Sequence, residues 1–494
     1  MNILSNISLC VSVLSFILSG CNPEPNKGAT ITIKSATQPN SAVKISVIKN
    51  LDELILAEAA TDSAGNSSFE LALNQPTIAL IQIGEKYGEV YLAPGYRLLI
   101  KENGQDYRIP LTFSGEGADV NNYIGWLNSN VEKIKWASGK GLYGLDMTEF
   151  RHRFDSLKVT INNFHEAYLD SVALTRNILA TLEYKKAIKF SAVQQEFTSY
   201  KLNDLNNDKW EAHRKGQEHL SDNAAKEFTK LVEEVHFDSA LVVGSYADYE
   251  TLLNFYWRNN IYLPVAGELI GSERPENKIP LLTDARIKEA DCADAVRENL
   301  LAFNVKFWVG AYGITPETDS IFNSFKETYR QSRYLAALNK TYDEFLALAP
   351  GNPAPEFEGL TREGKSVSIE SLRGKIIYID VWATWCRPCI AEIPSSIMLQ
   401  QKLAKEEGIH FLNVSVDSRR SDWEKFLDGN SGWTGTHIII EPEKVGSLYK
   451  AYKFQGIPAY MLLDQAGNII DLKASRPSDE KLELEIRQVL AGQL

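Results

Sequence analysis

The chain has 494 residues, too many for one hydrophobic core, so roughly two to four domains are expected. Its 44% hydrophobic and 23% charged content is that of an ordinary folded protein. A net charge of −12, from 52 Lys and Arg against 64 Asp and Glu, disfavours nucleic acid as a partner and gives no reason to expect binding to acidic lipid headgroups.

The first 20 residues carry no charged side chain, and residues 3–18 are broadly apolar, a run short for a membrane-spanning helix. It ends in Leu18-Ser-Gly-Cys21. Small residues just ahead of a cysteine resemble a bacterial lipobox, in which Cys21 is lipidated and becomes the new N-terminus. The lack of Lys or Arg near the start departs from the usual signal form; a plain secretory signal and an N-terminal anchor helix are the alternatives. Residues 1–20 are assigned to a lipoprotein signal peptide and residues 21–28 to a flexible tether. Such a chain is expected in the cell envelope, lipid-anchored and facing the periplasm, where an oxidising environment supplies disulfide chemistry with substrates. Cys10 is then removed and Cys21 acylated, leaving Cys386, Cys389 and a lone Cys292 in a helical-looking stretch, read as a half-buried structural thiol.

Residues 29–118 read as all-β. Segments beginning at Ala29, Ala42, Ser68, Ile78 and Tyr96 alternate or run apolar, with turn signals such as Ser63-Ala-Gly-Asn66 and Pro94-Gly95 between them. A small β-sandwich is expected. Residues 119–347 read as helical. Phe154, Leu157, Ile161, Phe164 and Tyr168 recur at spacings of three and four, and Tyr334, Leu335, Leu338, Tyr342, Phe345 and Leu346 do the same. Pro264, Pro275, Pro280 and Pro316 interrupt the segment and imply several helices. Trp126, Trp136, Trp257 and Trp308 lie here and are expected in the core.

Leu348-Ala-Pro-Gly-Asn-Pro-Ala-Pro355 is a Pro-rich boundary, and residues 348–494 then alternate strand with helix, the pattern of a sheet covered on both faces. Strands are expected at 375–382, 410–417, 438–440, 459–464 and 469–473. Helices are expected at 389–405, 422–427, 445–452 and 479–490. The strand 375–382 leads into Trp385-Cys386-Arg387-Pro388-Cys389. A strand that turns into a helix at Cys-x-x-Cys puts the first sulfur at a helix N-terminus, where unpaired N–H groups and the positive dipole end stabilise a thiolate. Such a thiol drops from about 8.5 to roughly 3.5–7.5. Cys389, one turn further in, is shielded and close enough to form a disulfide with Cys386. Arg387 either adds positive charge beside the thiolate or is solvated; Pro388 suits the first turn. Half a zinc site has the same spacing, but there is no second cysteine pair, so no metal is expected.

These residues, with Pro353-Ala-Pro-Glu-Phe357, Leu372-Arg-Gly-Lys375, Glu392-Ile-Pro394 and Gly456-Ile-Pro458-Ala-Tyr-Met-Leu-Leu-Asp464, resemble the thioredoxin superfamily, and most closely its TlpA/ResA-like membrane-tethered thiol–disulfide oxidoreductases. The β-region resembles the N-terminal domain found ahead of thioredoxin domains in Bacteroidota lipoproteins, through Leu92-Ala-Pro-Gly95 and Phe113-Ser-Gly-Glu-Gly117 with the Ala-Asp-Val-Asn-Asn122 that follows. Peroxiredoxins share the Pro-Ala-Pro-Glu-Phe opening, but Ile379 and Ala383 stand where their Pro-x-x-x-Thr-x-x-Cys pattern needs Pro and Thr.

The resemblance implies a C-terminal α/β thioredoxin fold after an all-β domain and a helical region. It implies that Cys386 attacks a substrate disulfide, that Cys389 resolves the mixed disulfide, and that Asp380, six residues before Cys386, is a buried acid taking the proton of Cys389. Glu392 matches an acid that tunes the thiols; a solvated first-turn glutamate is the alternative. Pro458 is expected cis, setting Ile457 beside Cys386 with its backbone free to pair with substrate. Trp385 forms an apolar rim or simply packs. The partners implied are protein disulfides or dithiols and a membrane electron donor, with no bound cofactor. The Arg-Pro dipeptide lacks the histidine of strongly oxidising pairs, which favours reductase over oxidase; cytochrome c maturation is one use. The competing reading is an envelope binding or assembly lipoprotein whose N-terminal domains carry the main function, since a long helical region is not needed for thiol exchange.

Overall fold

The computed structural model describes residues 28–35, 39–102, 111–136, 141–172, 176–215, 253–270, 275–454 and 456–492. The chain forms two compact units, residues 1–303 and 304–494.

The first unit opens with eight strands: β1 (Ala29–Ser35), β2 (Ala42–Lys49), β3 (Asp52–Ala60), β4 (Asn66–Leu71), β5 (Thr77–Ile83), β6 (Lys86–Leu92), β7 (Arg97–Glu102) and β8 (Leu111–Gly115). They form two four-stranded sheets, ordered β4-β1-β7-β8 and β3-β2-β5-β6. Strict alternation brings Ile31, Ile33, Leu98 and Ile100 of one sheet against Val43, Ile45, Ile81 and Val90 of the other, so the all-β expectation resolves into a sandwich. The sequence reading named five strands. It passes over β3, β6 and β8, whose exposed or broken alternation carries a weaker signal; six of the nine β3 residues are exposed on an edge strand.

Helices follow: α1 (Ala118–Trp136), α2 (Met147–Ser171), α3 (Arg176–Arg214), a π-helical turn (Trp257–Tyr262) running into α4 (Leu263–Glu268), then α5 (Pro275–Glu289) and α6 (Asp294–Tyr312). Phe154, Ile161, Phe150 and Phe197 form a core with Tyr123 and Leu127 of α1, and Leu157, Phe164 and Tyr168 pack on it, the face the spacing predicts. Trp257 and Trp308 are buried. Two proline expectations fail. Pro264 stands in the first turn of α4, directly continuing the π-turn, and Pro280 lies inside α5. The buried Thr283 hydroxyl donates to the Ile279 and Pro280 carbonyls at 2.9 and 3.0 Å, giving those acceptors side-chain partners. Cys292 lies in the non-helical junction between α5 and α6 rather than in a helix, half-buried, with burial pushing its thiol up.

Adjacent asparagines on α1 occupy the open edges of the sandwich. The Asn121 amide accepts from the Tyr91 N–H at 2.7 Å and donates to the Tyr91 carbonyl at 2.9 Å, on edge strand β6. Asn122 accepts from the Phe113 N–H at 3.1 Å and donates to its carbonyl at 3.0 Å, on edge strand β8. Each amide presents the donor–acceptor pair that another strand would present, which protects two edges from unwanted pairing.

The second unit begins with the end of α6, then α7 (Pro316–Thr328) and α8 (Leu335–Leu346). Tyr334, Leu338 and Phe345 are buried there, while Leu346 is exposed, against the spacing expectation. A seven-stranded sheet follows, ordered β10-β9-β13-β12-β11-β14-β15. It is built from β9 (Glu358–Leu360), β10 (Ser366–Ser368), β11 (Ile376–Trp382), β12 (Ile409–Ser415), β13 (Thr436–Ile439), β14 (Ala459–Leu463) and β15 (Ile469–Asp471). Between them run α9 (Arg387–Lys402), α10 (Arg420–Asp428), α11 (Pro442–Tyr452) and, last, α12 (Lys481–Leu490). This is a thioredoxin-like sheet domain. Every residue of the central strand β11 is buried, as two covered faces require. Ile377, Ile379 and Val381 face a core with Trp423, Leu448 and Cys386, whereas Ile376 and Tyr378 face Leu399, Leu403 and Ile486. Each strand and helix expected in this domain is present, with ends shifted by one to three residues.

Asn121→Ala removes the amide that accepts from the Tyr91 N–H and donates to its carbonyl, so it should destabilise the first unit by about 2–4 kcal/mol. Denaturant unfolding checks this; a loss below about 0.5 kcal/mol would mean that water replaces the amide at no cost.

Candidate active site

Strand β11 ends at Trp382 and α9 starts at Arg387, so four residues, 383–386, carry the polypeptide from the sheet to the helix. Cys386 is the N-cap, with φ −83 and ψ 94, and Pro388 lies in the first turn, where its missing N–H costs nothing. The Cys386 sulfur accepts the Cys389 backbone N–H at 3.2 Å. A side-chain atom at the cap thus takes one of the orphan donors of the helix, and that atom is a redox sulfur. Cys386 and Cys389 form a disulfide with Cα atoms 5.3 Å apart. Both are nearly buried in this oxidised state, Cys386 at 5% and Cys389 at 2% exposure. Arg387 and Pro388 are exposed. The Trp385 ring, immediately before Cys386, is 66% exposed, so it is a surface feature rather than a packed one.

The Ile457–Pro458 peptide bond is cis. Ile457 packs against the core cluster that contains both cysteines, and among the described residues its backbone makes no hydrogen bond.

On the other face of β11 lies Asp380, paired across the sheet with Asn413 of β12 and Tyr460 of β14. It is buried, and its Oδ1 has no hydrogen-bond partner among the described residues. Burial first, and the charge of Glu392 second, push its carboxyl up to about 8. Glu392, one turn beyond Cys389, is not a solvated helix glutamate. Its carboxylate accepts the Ser478 N–H at 3.0 Å and the Ser478 hydroxyl at 2.9 Å, with Arg476 at 3.6 Å. The two acids differ in their means of support: Glu392 keeps hydrogen-bond donors, while Asp380 has none on one oxygen and is favoured in its neutral form. A carboxyl titrating near 8 is poised to exchange a proton with a thiol of similar acidity at neutral pH.

Sequence reasoning misses two residues around this site. Ser478 holds Glu392 from the turn before α12. Asp417, just past β12, accepts from Thr384 two residues ahead of Cys386. Both come from segments distant in sequence. Only the rule that sites gather at the carboxyl ends of parallel strands could have pointed to Asp417. Cys21 lies outside the described residues. No cluster of three His, Cys, Asp or Glu among the described residues is arranged to hold a metal ion, and no helix among them is long and apolar enough to cross a membrane.

Between pH 3.8 and about 8 the folded state keeps a proton on Asp380 that the unfolded chain has released, so this group lowers stability as pH rises through that window and no further above it. Asp380→Asn removes the titration. The oxidised variant should exceed the parent in stability by at least about 2 kcal/mol at pH 8 and by much less at pH 4. Thermal unfolding at the two pH values checks this; an equal gain at both would contradict it.

The redoxin family profile matches residues 349–489. The thiol-disulfide oxidoreductase ResA of Geobacillus kaustophilus is 28% identical over 160 residues, spanning 31% of this chain and 89% of the relative. The thioredoxin-like protein YneN of Bacillus subtilis is 25% identical over 151 residues, spanning 30% of this chain and 86% of the relative. Among solved structures, a protein described as a thiol-disulfide oxidoreductase from Bacteroides vulgatus is 37% identical. It covers 29% of this chain and 98% of its own, with a TM-score of 0.27. The capped Cys-x-x-Cys and these relatives agree: residues 349–489 are a redoxin domain, and the chain is a thiol–disulfide oxidoreductase of ResA/TlpA-like kind.

Proposed function

We propose that this chain is an extracytoplasmic reductase of protein disulfides. The observation that carries the reading is the placement of the Cys386 sulfur at the N-cap of α9, with Cys389 in disulfide reach and the Cys389 N–H donating to it. The helix terminus favours the Cys386 thiolate. In the reduced enzyme that thiolate attacks one sulfur of a substrate disulfide. The substrate S–S bond breaks, its second sulfur leaves as a thiolate and takes up a proton, and a mixed disulfide joins Cys386 to the client. Cys389 then loses its proton to the ionised form of Asp380 and attacks Cys386; the mixed disulfide breaks, the client sulfur leaves as a thiolate and is protonated from solvent, Asp380 returns its proton to solvent, and the Cys386–Cys389 disulfide is restored. Glu392 tunes Asp380 by its charge. Trp385 and the Ile457–Pro458 segment flank the attacking sulfur and receive an extended client strand, apolar ring on one side and free backbone groups on the other.

The electrons come from a thiol–disulfide relay donor in the membrane, and Cys21 anchors the chain there through lipid. The run up to Leu18-Ser-Gly-Cys21 supports export and acylation. The absence of histidine between the cysteines supports the reducing direction, and cytochrome c maturation is one pathway that consumes such electrons. Residues 348–494 are proposed as the redox domain, with 29–118 and 119–347 as β and helical modules that select clients. A pure binding role for the N-terminal modules is favoured by one observation only: the first unit has its own cores, built without any residue of the redox pair.

Cys386→Ser should abolish reduction of a protein disulfide, and Cys389→Ala should accumulate mixed disulfides with clients, resolved on non-reducing gels. Equilibration in glutathione buffers should place the pair near the reducing end of the range of about −270 to −120 mV. Retained turnover in Cys386→Ser would remove the enzyme reading, and a potential near the upper limit would reverse the direction of electron flow.

A further inference from the structure

The turn that presents Cys386 is held from outside its own segment. Asp417 is 2% exposed and stands two residues past the end of β12, beside the end of β11, because Trp382 and Ser415 are register partners in the parallel pair. Its carboxylate collects both donors of Thr384 and one from Ser415. The Thr384 N–H donates to both oxygens at 3.1 Å each, and the Thr384 hydroxyl donates to Oδ1 at 2.7 Å. The Ser415 hydroxyl donates to Oδ2 at 2.8 Å and accepts the Asp417 N–H at 3.1 Å. The Val416 N–H donates to the Trp382 carbonyl at 2.9 Å, and the Cys386 N–H to the Ala383 carbonyl at 3.1 Å. The stretch 382–386 is thereby tied to β12 at its start and through Thr384, and closed on itself at its end.

We propose that Asp417 is a positioning residue for thiol–disulfide exchange: by clamping Thr384 it fixes the turn that sets the Cys386 sulfur on the first N–H groups of α9. This rests on the functional reading above. The physical argument is geometric. A thiolate gains from a helix terminus only within the first turn, and a hydrogen bond weakens steeply when its angle opens. Small rotations of a loose loop therefore remove the stabilisation. Two donors of one residue making three contacts with a buried carboxylate leave Thr384 little freedom, and Thr384 is two residues away from the sulfur-bearing Cys386.

Direction separates this role from a charge effect. A carboxylate that acted only through its negative charge would disfavour the thiolate, so its removal would make Cys386 more acidic. A clamp does the reverse. The test is the pH dependence of iodoacetamide alkylation in the full-length reduced protein, carried in a Cys389→Ala background and read by mass on the Cys386 peptide. Asp417→Asn and Thr384→Val are compared with the parent, and Thr384→Ser serves as the conservative rescue. Asp417→Asn should raise the midpoint by about half a unit or more and slow alkylation at pH 7 about threefold. Thr384→Val, which keeps the backbone N–H, should shift less in the same direction, and Thr384→Ser should match the parent. A lowered melting temperature with an unmoved midpoint would reduce Asp417 to a structural residue and overturn the proposal; a midpoint moved downward would overturn it in favour of charge. Disulfide exchange by the protein with Cys389 intact is measured separately. Its failure would sink the functional reading, while the alkylation midpoint still decides the clamp.

Discussion

One contact organises the redox domain: the Cys389 N–H donating to the sulfur of Cys386 at the head of α9. A sulfur anion in water has no reason to be favoured near neutral pH, and a helix terminus supplies the reason through its unpaired donors and aligned dipoles. For that contact to exist, a strand must end and a helix begin within a few residues. The strand must also be central enough to be immovable. β11 meets this requirement, since all seven of its residues are buried and parallel and antiparallel neighbours flank it.

The same strand carries a cost. Alternation that turns Ile377, Ile379 and Val381 to one face turns Asp380 to the other, into a site where one of its oxygens has no donor among the described residues. An isolated carboxylate there would prefer to be neutral, and burial shifts it accordingly. Folding alone would be better served by an apolar side chain. The acid raised in this way stands on the β11 face opposite the core that contains Cys386 and Cys389. Glu392 shares the neighbourhood but is satisfied by Ser478.

Much of this was legible in the residues. The apolar run at 376–382 followed by two cysteines predicts the strand–turn–helix junction, because a continuous β-branched and aromatic run gives way to spacings of three and four from Cys389 onward. The cis Pro458 and the buried Asp380 are implied by the family resemblance rather than by spacing, and the structure has both. What escaped was long-range. Ser478 and Asp417 reach the site from turns far along the chain, and nothing in local spacing marks a serine or an aspartate as the partner of a particular acid or threonine. Strand β3 escaped because an exposed edge strand lacks the alternation that a buried face imposes. Pro264 and Pro280 stand in the first turn of α4 and inside α5, so a proline in the sequence does not by itself mark a helix end.

The acidity of the two sulfurs decides whether this account holds. Alkylation of the reduced parent protein across pH, resolved for Cys386 and Cys389 by peptide mass, measures it directly. The account predicts that Cys386 reacts with a midpoint clearly below the ordinary thiol value of about 8.5, and that Cys389 reacts more slowly with a higher midpoint. Two cysteines with the same ordinary midpoint, or a Cys389 more acidic than Cys386, would contradict it.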